Sequence, residues 1–123
     1  MAWTLNADRP IYTQLVEKIQ KDIVSGIYKA GDKIPPVREL ATEAAVNPNT
    51  MQKALVELER MGLLYTQRTS GRFVTEDGEM INKLKNEMAS EQIKIFLENM
   101  KQLGYDTEET ISIIKELDKE EEE

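Results

Sequence analysis

The sequence predicts a mainly α-helical fold with one small β-hairpin, and three observations carry that reading. Apolar residues recur at helical spacing in five separate stretches. Pro, Asn and Gly stand where they start and stop those stretches. One strand-like pair, Leu63-Leu64-Tyr65-Thr66-Gln67 and Arg72-Phe73-Val74, is split by Arg68-Thr69-Ser70-Gly71, a polar loop ending on glycine.

Pro10 opens the first helix, where Tyr12, Leu15, Val16, Ile19 and Ile23 share a face and Gly26 marks the end. Gly31-Asp32 signals a turn between two short extended pieces within 27–34. Pro35-Pro36 precedes a short helix over 37–44 that turns Leu40 and Ala41 inward. Ala45-Val46 is a tight connection. Asn47 is a good N-cap, and Pro48 takes the first helical position, which suits it. That third helix runs to about 61 on a stripe of Met51, Leu55 and Leu58, and Gly62 stops it. The hairpin follows, then a polar linker over 75–78.

A long helix is expected over 79–102, with a stripe of Ile81, Leu84, Met88, Ile95 or Phe96, Met100 and Leu103. Leu103-Gly104 ends it. Asp106 with Glu109 three residues on resembles a capping box, and the last helix carries Ile111, Ile114 and Leu117. Two short helices, a tight connection and a β-hairpin make a winged helix-turn-helix. The chain is therefore expected to divide into a winged helix-turn-helix DNA-binding domain, 1–75, and a two-helix dimerisation segment with an acidic tail, 76–123. The apolar stripes of the last two helices need a cover, and a second copy supplies it economically. The competing reading folds them back on their own N-terminal domain. Met80, Met88 and Met100 read as adaptable core filler rather than a ligand box. Trp3 is expected to pack the N-terminal arm on an apolar surface.

Composition narrows the function. The 123 residues include neither Cys nor His. This removes disulfides, thiolate chemistry, the commonest general base and the commonest transition-metal ligand. A small chain of this kind is a poor enzyme and a better binding module, with no cofactor expected, and it suits a reducing cytoplasm. At 6% aromatic residues it offers little for base stacking. No apolar run reaches the roughly 18 residues a membrane span needs, and Met1-Ala2-Trp3-Thr4-Leu5-Asn6 lacks the features of a secretory signal.

The net charge of −7 is unevenly spread. Ten Lys/Arg face eight Asp/Glu through Val74, whereas six Lys face fifteen Asp/Glu from Thr75 onward. A mildly basic half and a strongly acidic half suggest two jobs. The terminal run Glu120-Glu121-Glu122-Glu123 is expected to fray, because negative charge is unfavourable at a helix C-terminus.

With Met51, Leu55 and Leu58 inward, a rotation of 100° per residue puts Asn49, Lys53, Val56 and Arg60 on the opposite side. Gln52 and Thr50 lie on the flanks. Asn49 and Gln52 carry paired donors and acceptors suited to an adenine edge. Lys53 can reach a phosphate or a guanine, and Thr50 a phosphate. Free N–H groups in the first turn, beside Asn47, favour an anion. Arg38, early on the preceding helix, is placed to meet a phosphate. Arg68 and Arg72 flank Thr69, Ser70 and Gly71 in a wing tip suited to a narrow minor groove. Each has a plainer reading: Asn47, Asn49 and Thr50 as cap and solvated surface, Arg38 in an ion pair with Glu39 or Glu43, and the wing as an ordinary hairpin.

Several segments resemble the DNA-binding domain of GntR-family bacterial transcription regulators. They are Pro10-Ile11-Tyr12-Thr13-Gln14-Leu15, Gly31-Asp32-Lys33-Ile34-Pro35, Arg38-Glu39-Leu40-Ala41, Val46-Asn47-Pro48-Asn49-Thr50, Leu58-Glu59-Arg60-Met61-Gly62-Leu63 and Gly71-Arg72-Phe73-Val74. The C-terminal Leu103-Gly104-Tyr105 and Glu108-Glu109 resemble the short tail of the YtrA subfamily. The resemblance implies a homodimeric repressor of a palindromic double-stranded operator. The two C-terminal helices would dimerise it, and transporter operons are often the target. Three departures stand out. Pro36 replaces a usual Ser that caps and contacts phosphate. Ala45 replaces a frequent Gly, suggesting a turn that needs no positive φ. Thr69 replaces a frequent wing Gly, which would stiffen or reposition the tip.

Residues 79–118 are too few to enclose a small-molecule pocket of a few hundred Å³, and the effector is left open. The alternative function is a winged-helix protein-interaction module that no longer binds DNA. The acidic balance favours that alternative, and Arg38, Lys53, Arg68 and Arg72 argue against it.

Overall fold

The computed structural model describes residues 3–122, with no account of the Glu122 side chain. Met1, Ala2 and Glu123, which belong to the N-terminal stretch and the acidic run read from the sequence, lie outside the described residues. The elements are α1 (Ile11–Val24), α2 (Val37–Ala44), α3 (Pro48–Arg60), β1 (Leu64–Gln67), β2 (Gly71–Val74), α4 (Gly78–Gln102) and α5 (Thr107–Glu122). The mainly helical expectation with one hairpin therefore holds, element by element.

The first three helices share one core. Leu15 and Ile19 of α1, Leu40 of α2, and Met51, Leu55 and Leu58 of α3 are all within 1% of complete burial. Fully burying each such side chain is worth about 1.5–3 kcal/mol. Val74 and Leu64 close the core from the hairpin. Trp3 packs against the same cluster, as expected of the N-terminal arm. The arm is also tied by Gln14, whose amide accepts from the Asn6 N–H at 2.6 Å and donates to the Asn6 carbonyl at 2.6 Å.

β1 and β2 pair antiparallel with Tyr65 opposite Phe73 and Gln67 opposite Gly71. The Tyr65 and Phe73 rings stack at 5.7 Å. The extended piece before α2 joins the hairpin as a third, short edge. Lys33 bridges Phe73, the Ile34 N–H donates to the Arg72 carbonyl, and the Val74 N–H donates to the Asp32 carbonyl. The wing is thereby anchored at the foot of α2.

The turn between α2 and α3 corrects one expectation. Ala45 does adopt a positive φ of 60°, and no other non-glycine residue among those described does so. The chain needs it there because the left-handed residue lets the Ala45 and Val46 N–H groups return to the Thr42 and Ala41 carbonyls. Alanine in this region costs about 1–2 kcal/mol relative to its right-handed form.

Two compact units are distinguished, Met1–Lys85 and Asn86–Glu123. The first extends ten residues beyond the expected limit at residue 75. The reason is that Met80, Ile81 and Leu84, on the first turns of α4, pack against the N-terminal core. Ile81 and Leu84 are thus not free members of a dimerisation stripe.

The single stripe drawn along α4 also divides. At 100° per residue, Ile81, Leu84, Met88 and Ile95 lie on one side, and Phe96, Met100 and Leu103 fall on a side rotated by roughly 95° on average. In the second unit, Met100 is half-buried together with Leu97 and Ile113, two residues absent from the expected stripes. Ile93, Ile95, Phe96, Leu103, Ile111, Ile114 and Leu117 are exposed, Leu103 by 72% and Leu117 by 56%. The capping box at the start of α5 is formed: the Asp106 N–H donates to Glu109 Oε1 at 3.1 Å, and the Glu109 N–H donates to Asp106 Oδ1 at 2.8 Å. The expected fraying of the acidic run is not seen within the described residues, since α5 continues through Glu122. Glutamate is a strong helix former, and no breaker precedes that point.

Ala45→Gly should stabilise the protein by about 1 kcal/mol, because glycine enters the left-handed region without the Cβ penalty. Chemical denaturation would read this as a higher midpoint at unchanged slope.

Candidate nucleic-acid interface

The interface is built around α3. Met51, Ala54, Leu55 and Leu58 are fully buried along one side, which fixes the rotation of the helix. Asn49, Gln52, Lys53, Val56 and Arg60 are consequently exposed, and Thr50 is half-buried. This is the arrangement expected from the sequence. Asn47 caps the helix, its side-chain oxygen accepting the Asn49 N–H at 2.8 Å. The plainer reading of Asn47 as a cap is therefore met, while the amide of Asn49 makes no side-chain hydrogen bond among the described residues.

The cations on and around α3 differ in how they are held. Lys53 Nζ lies 4.0 Å above the Tyr12 ring of α1. The negative face of the ring attracts the ammonium and restrains it. Arg60 is paired with Glu57 one turn earlier on the same helix. Arg38, on the first turn of α2, is exposed and makes no ion pair among the described residues. Its expected partner Glu43 instead accepts the Trp3 indole N–H at 3.4 Å. Pro36, at the start of α2, gives no side-chain cap, as its chemistry requires.

The wing tip consists of Arg68, Thr69 and Ser70, all exposed, with the Ser70 N–H donating to the Gln67 carbonyl at 3.1 Å. Gly71, also exposed, has φ 111° and supplies the positive angle. Thr69 needs no such angle. Added bulk at Gly71 would press on Lys33, whose Cε lies 3.1 Å from where a Cβ would stand. A shallow recess of about 370 Å³ lies between the wing and the start of α2, with Lys33, Pro36, Gln52 and Ser70 on its walls.

Arg72 departs from the expected tip position. Its side chain turns toward α3, where Nε donates to Glu59 Oε1 at 2.5 Å and Nη1 donates to Gln52 Oε1 at 3.4 Å. The Thr66 hydroxyl donates to the same Glu59 oxygen at 2.8 Å. The physical cause is partial burial: an arginine whose side chain is only 19% exposed needs a carboxylate partner for its charge. Burial raises the Glu59 carboxyl pKa, but the Arg72 and Thr66 hydrogen bonds and the Arg72 charge overcome this and hold it below its ordinary value.

Sequence reasoning missed three participants. Glu59 carries no periodic signal, since its link to Arg72 exists only once the hairpin folds back on α3. Tyr12 stands on the apolar face of α1 by its spacing, and its half-buried ring also holds Lys53. Lys33 stands on the extended piece that joins the wing. Among the described residues, no three acidic side chains gather in a way that could hold a metal ion. Among the described residues, no helix is long and apolar enough to cross a membrane.

Residues 11–74 match the family described as "Bacterial regulatory proteins, gntR family". The chain is 38% identical over 109 residues to the HTH-type transcriptional repressor YtrA of Bacillus subtilis, covering 88% of this chain and 84% of that one. A GntR family transcriptional regulator from Listeria monocytogenes superposes with a TM-score of 0.84 at 42% identity, covering 91% of this chain and 98% of its own. The AraR DNA-binding domain, solved in complex with operator ORX1, matches 61% of this chain and 92% of its own at 33% identity and a TM-score of 0.53.

A carboxyl with a lowered folded pKa stabilises fully above its unfolded value, near 4.3, and loses that contribution as pH falls through the folded value. Glu59→Gln should therefore lower the thermal midpoint at neutral pH. The gap from the native protein should narrow as pH drops from about 5 toward about 3. Melting curves across that range check this, and a constant gap would clear the carboxylate of the effect.

Proposed function

The chain belongs to the gntR family of bacterial regulatory proteins, and from that premise we propose that it is a transcriptional repressor acting on double-stranded DNA. It binds a palindromic operator as a homodimer, in the cytoplasm, and blocks polymerase by occupancy. It is a binding protein and catalyses no reaction. The observation that carries the reading is the outward row of Asn49, Gln52 and Lys53 on a helix whose other side is wholly buried. A helix so fixed can enter a major groove with a defined rotation and present amide groups to base edges. The repressor name of the YtrA relative and the operator complex of the AraR domain support the same reading.

Arg38 and the Thr50 hydroxyl take phosphates, which position the helix without reading sequence; the first-turn N–H groups of α3 are already bonded to Asn47, against the expectation that they are free for an anion. Arg68 and the exposed tip of the wing take the adjoining minor groove. Asn49 and Gln52 read bases. In the second unit, the exposed Phe96, Leu103, Ile114 and Leu117, with Ile95, Ile111 and the half-buried Met88 and Met100, are covered by a second copy. Paired recognition helices about 34 Å apart then address successive turns of one duplex face.

Arg38→Ala should weaken operator and scrambled duplexes alike, whereas Asn49→Ala should mainly flatten the preference between them. Fluorescence anisotropy titrations of both variants read this directly. For a dimer neutralising about eight phosphates, log K should fall with log salt at a slope near −7, while a salt-insensitive null shift would favour a protein-interaction module. Ile114→Lys should convert the dimer to monomer in sedimentation velocity and weaken operator binding by about tenfold or more.

A further inference from the structure

Arg72 of the wing and Gln52 of α3 meet at the face of the candidate interface. A glutamine amide has an accepting end and a donating end, and a free one can satisfy both positions of an adenine edge at once. Gln52 is not free. Its Oε1 faces Arg72 Nη1 at 3.4 Å. A guanidinium carries donors only, so the amide oxygen, and never the amide nitrogen, can occupy that side. The positive charge enforces the same choice beyond the reach of the hydrogen bond, because it repels the amide NH₂ dipole.

Arg72 is in turn held from behind. Glu59 Oε1 accepts from Arg72 Nε and from the Thr66 hydroxyl, and the pair is partly withdrawn from solvent, at 19% and 29% exposure. Turning Arg72 outward would leave the Glu59 carboxylate without its cation. The chain of contacts therefore runs from β1 and β2 through Glu59 and Arg72 to Gln52, all within the N-terminal unit.

We propose that Arg72 is a specificity-determining residue: it fixes the Gln52 amide with its NH₂ outward, so that Gln52 reads a base edge whose acceptors have no amino donor beside them, guanine or thymine, in place of a bidentate adenine, whose N6 amino group would then face the amide NH₂. This deepens the operator-binding function proposed above and rests on it. The arginine acts through the glutamine and touches no base itself, which makes it a positioning residue with a readout in sequence preference.

The test is selection from a random duplex pool by the full-length native protein, Arg72→Leu, Gln52→Ala and the double variant. The position that Gln52→Ala makes indifferent is the one Gln52 reads. At that position the native protein should enrich guanine or thymine. Arg72→Leu should shift the enrichment toward adenine by about tenfold, with the other positions unchanged, and should have no effect there in the Gln52→Ala background. Glu59→Gln, which loosens Arg72 without removing it, should move the preference the same way by less, and guards against a fold defect in Arg72→Leu. Adenine enrichment by the native protein, or an unchanged preference in Arg72→Leu, overturns the inference and leaves operator binding standing. A native protein that enriches no duplex at any salt overturns the operator reading itself, and this inference with it.

Discussion

The rotational setting of α3 is the constraint on which the N-terminal unit depends. Four side chains, Met51, Ala54, Leu55 and Leu58, are withdrawn from solvent along one line. Turning the helix by even one residue position would expose some of them and carry Gln52 or Thr50 into the core without partners. Several kilocalories of apolar burial therefore stand behind the direction in which a few polar groups point. The caps at either end do a smaller job. Asn47 satisfies a first-turn donor, and the turn at Gly62 releases the chain into the hairpin.

The hairpin is more than an appendage to that helix. Lys33 and Ile34 attach it to the chain just ahead of α2, and Arg72 attaches it to α3. Charges that look interchangeable in the sequence thereby acquire separate duties. Arg38 and Arg68 are exposed and face solvent, Arg60 is spent on its own helix, Lys53 is restrained by an aromatic ring, and Arg72 is committed to a carboxylate.

Local signals made much of this legible. Helical periodicity, Asn47-Pro48, Gly62, Gly71 and the Asp106 to Glu109 spacing each depend on neighbours within about one helical turn, and each element appeared where its signal stood. Properties that depend on the assembled fold were not legible. The Glu59–Arg72 pair spans a hairpin, and the Lys53–Tyr12 contact joins two helices distant in sequence. The stripe of α4 was read as one because successive apolar residues do fall at helical spacing, although Ile81, Leu84 and Met88 lie well around the helix from Phe96, Met100 and Leu103. The packing of Met80, Ile81 and Leu84 on the N-terminal core then shows what that rotation means, one set covered by the core and the other left outside it. Ala45 misled for a different reason. The absence of glycine points away from the left-handed angle, but the returning hydrogen bonds of the turn outweigh the strain of a methyl group there.

That methyl group has a mechanical meaning. Glycine has a broad left-handed basin and would let the joint between the two helices rock through many neighbouring angles. Alanine has a small pocket of permitted values there, so the hinge is stiff as well as strained. The protein gives up some thermodynamic margin at this corner and holds the aim of its reading head within a narrower cone.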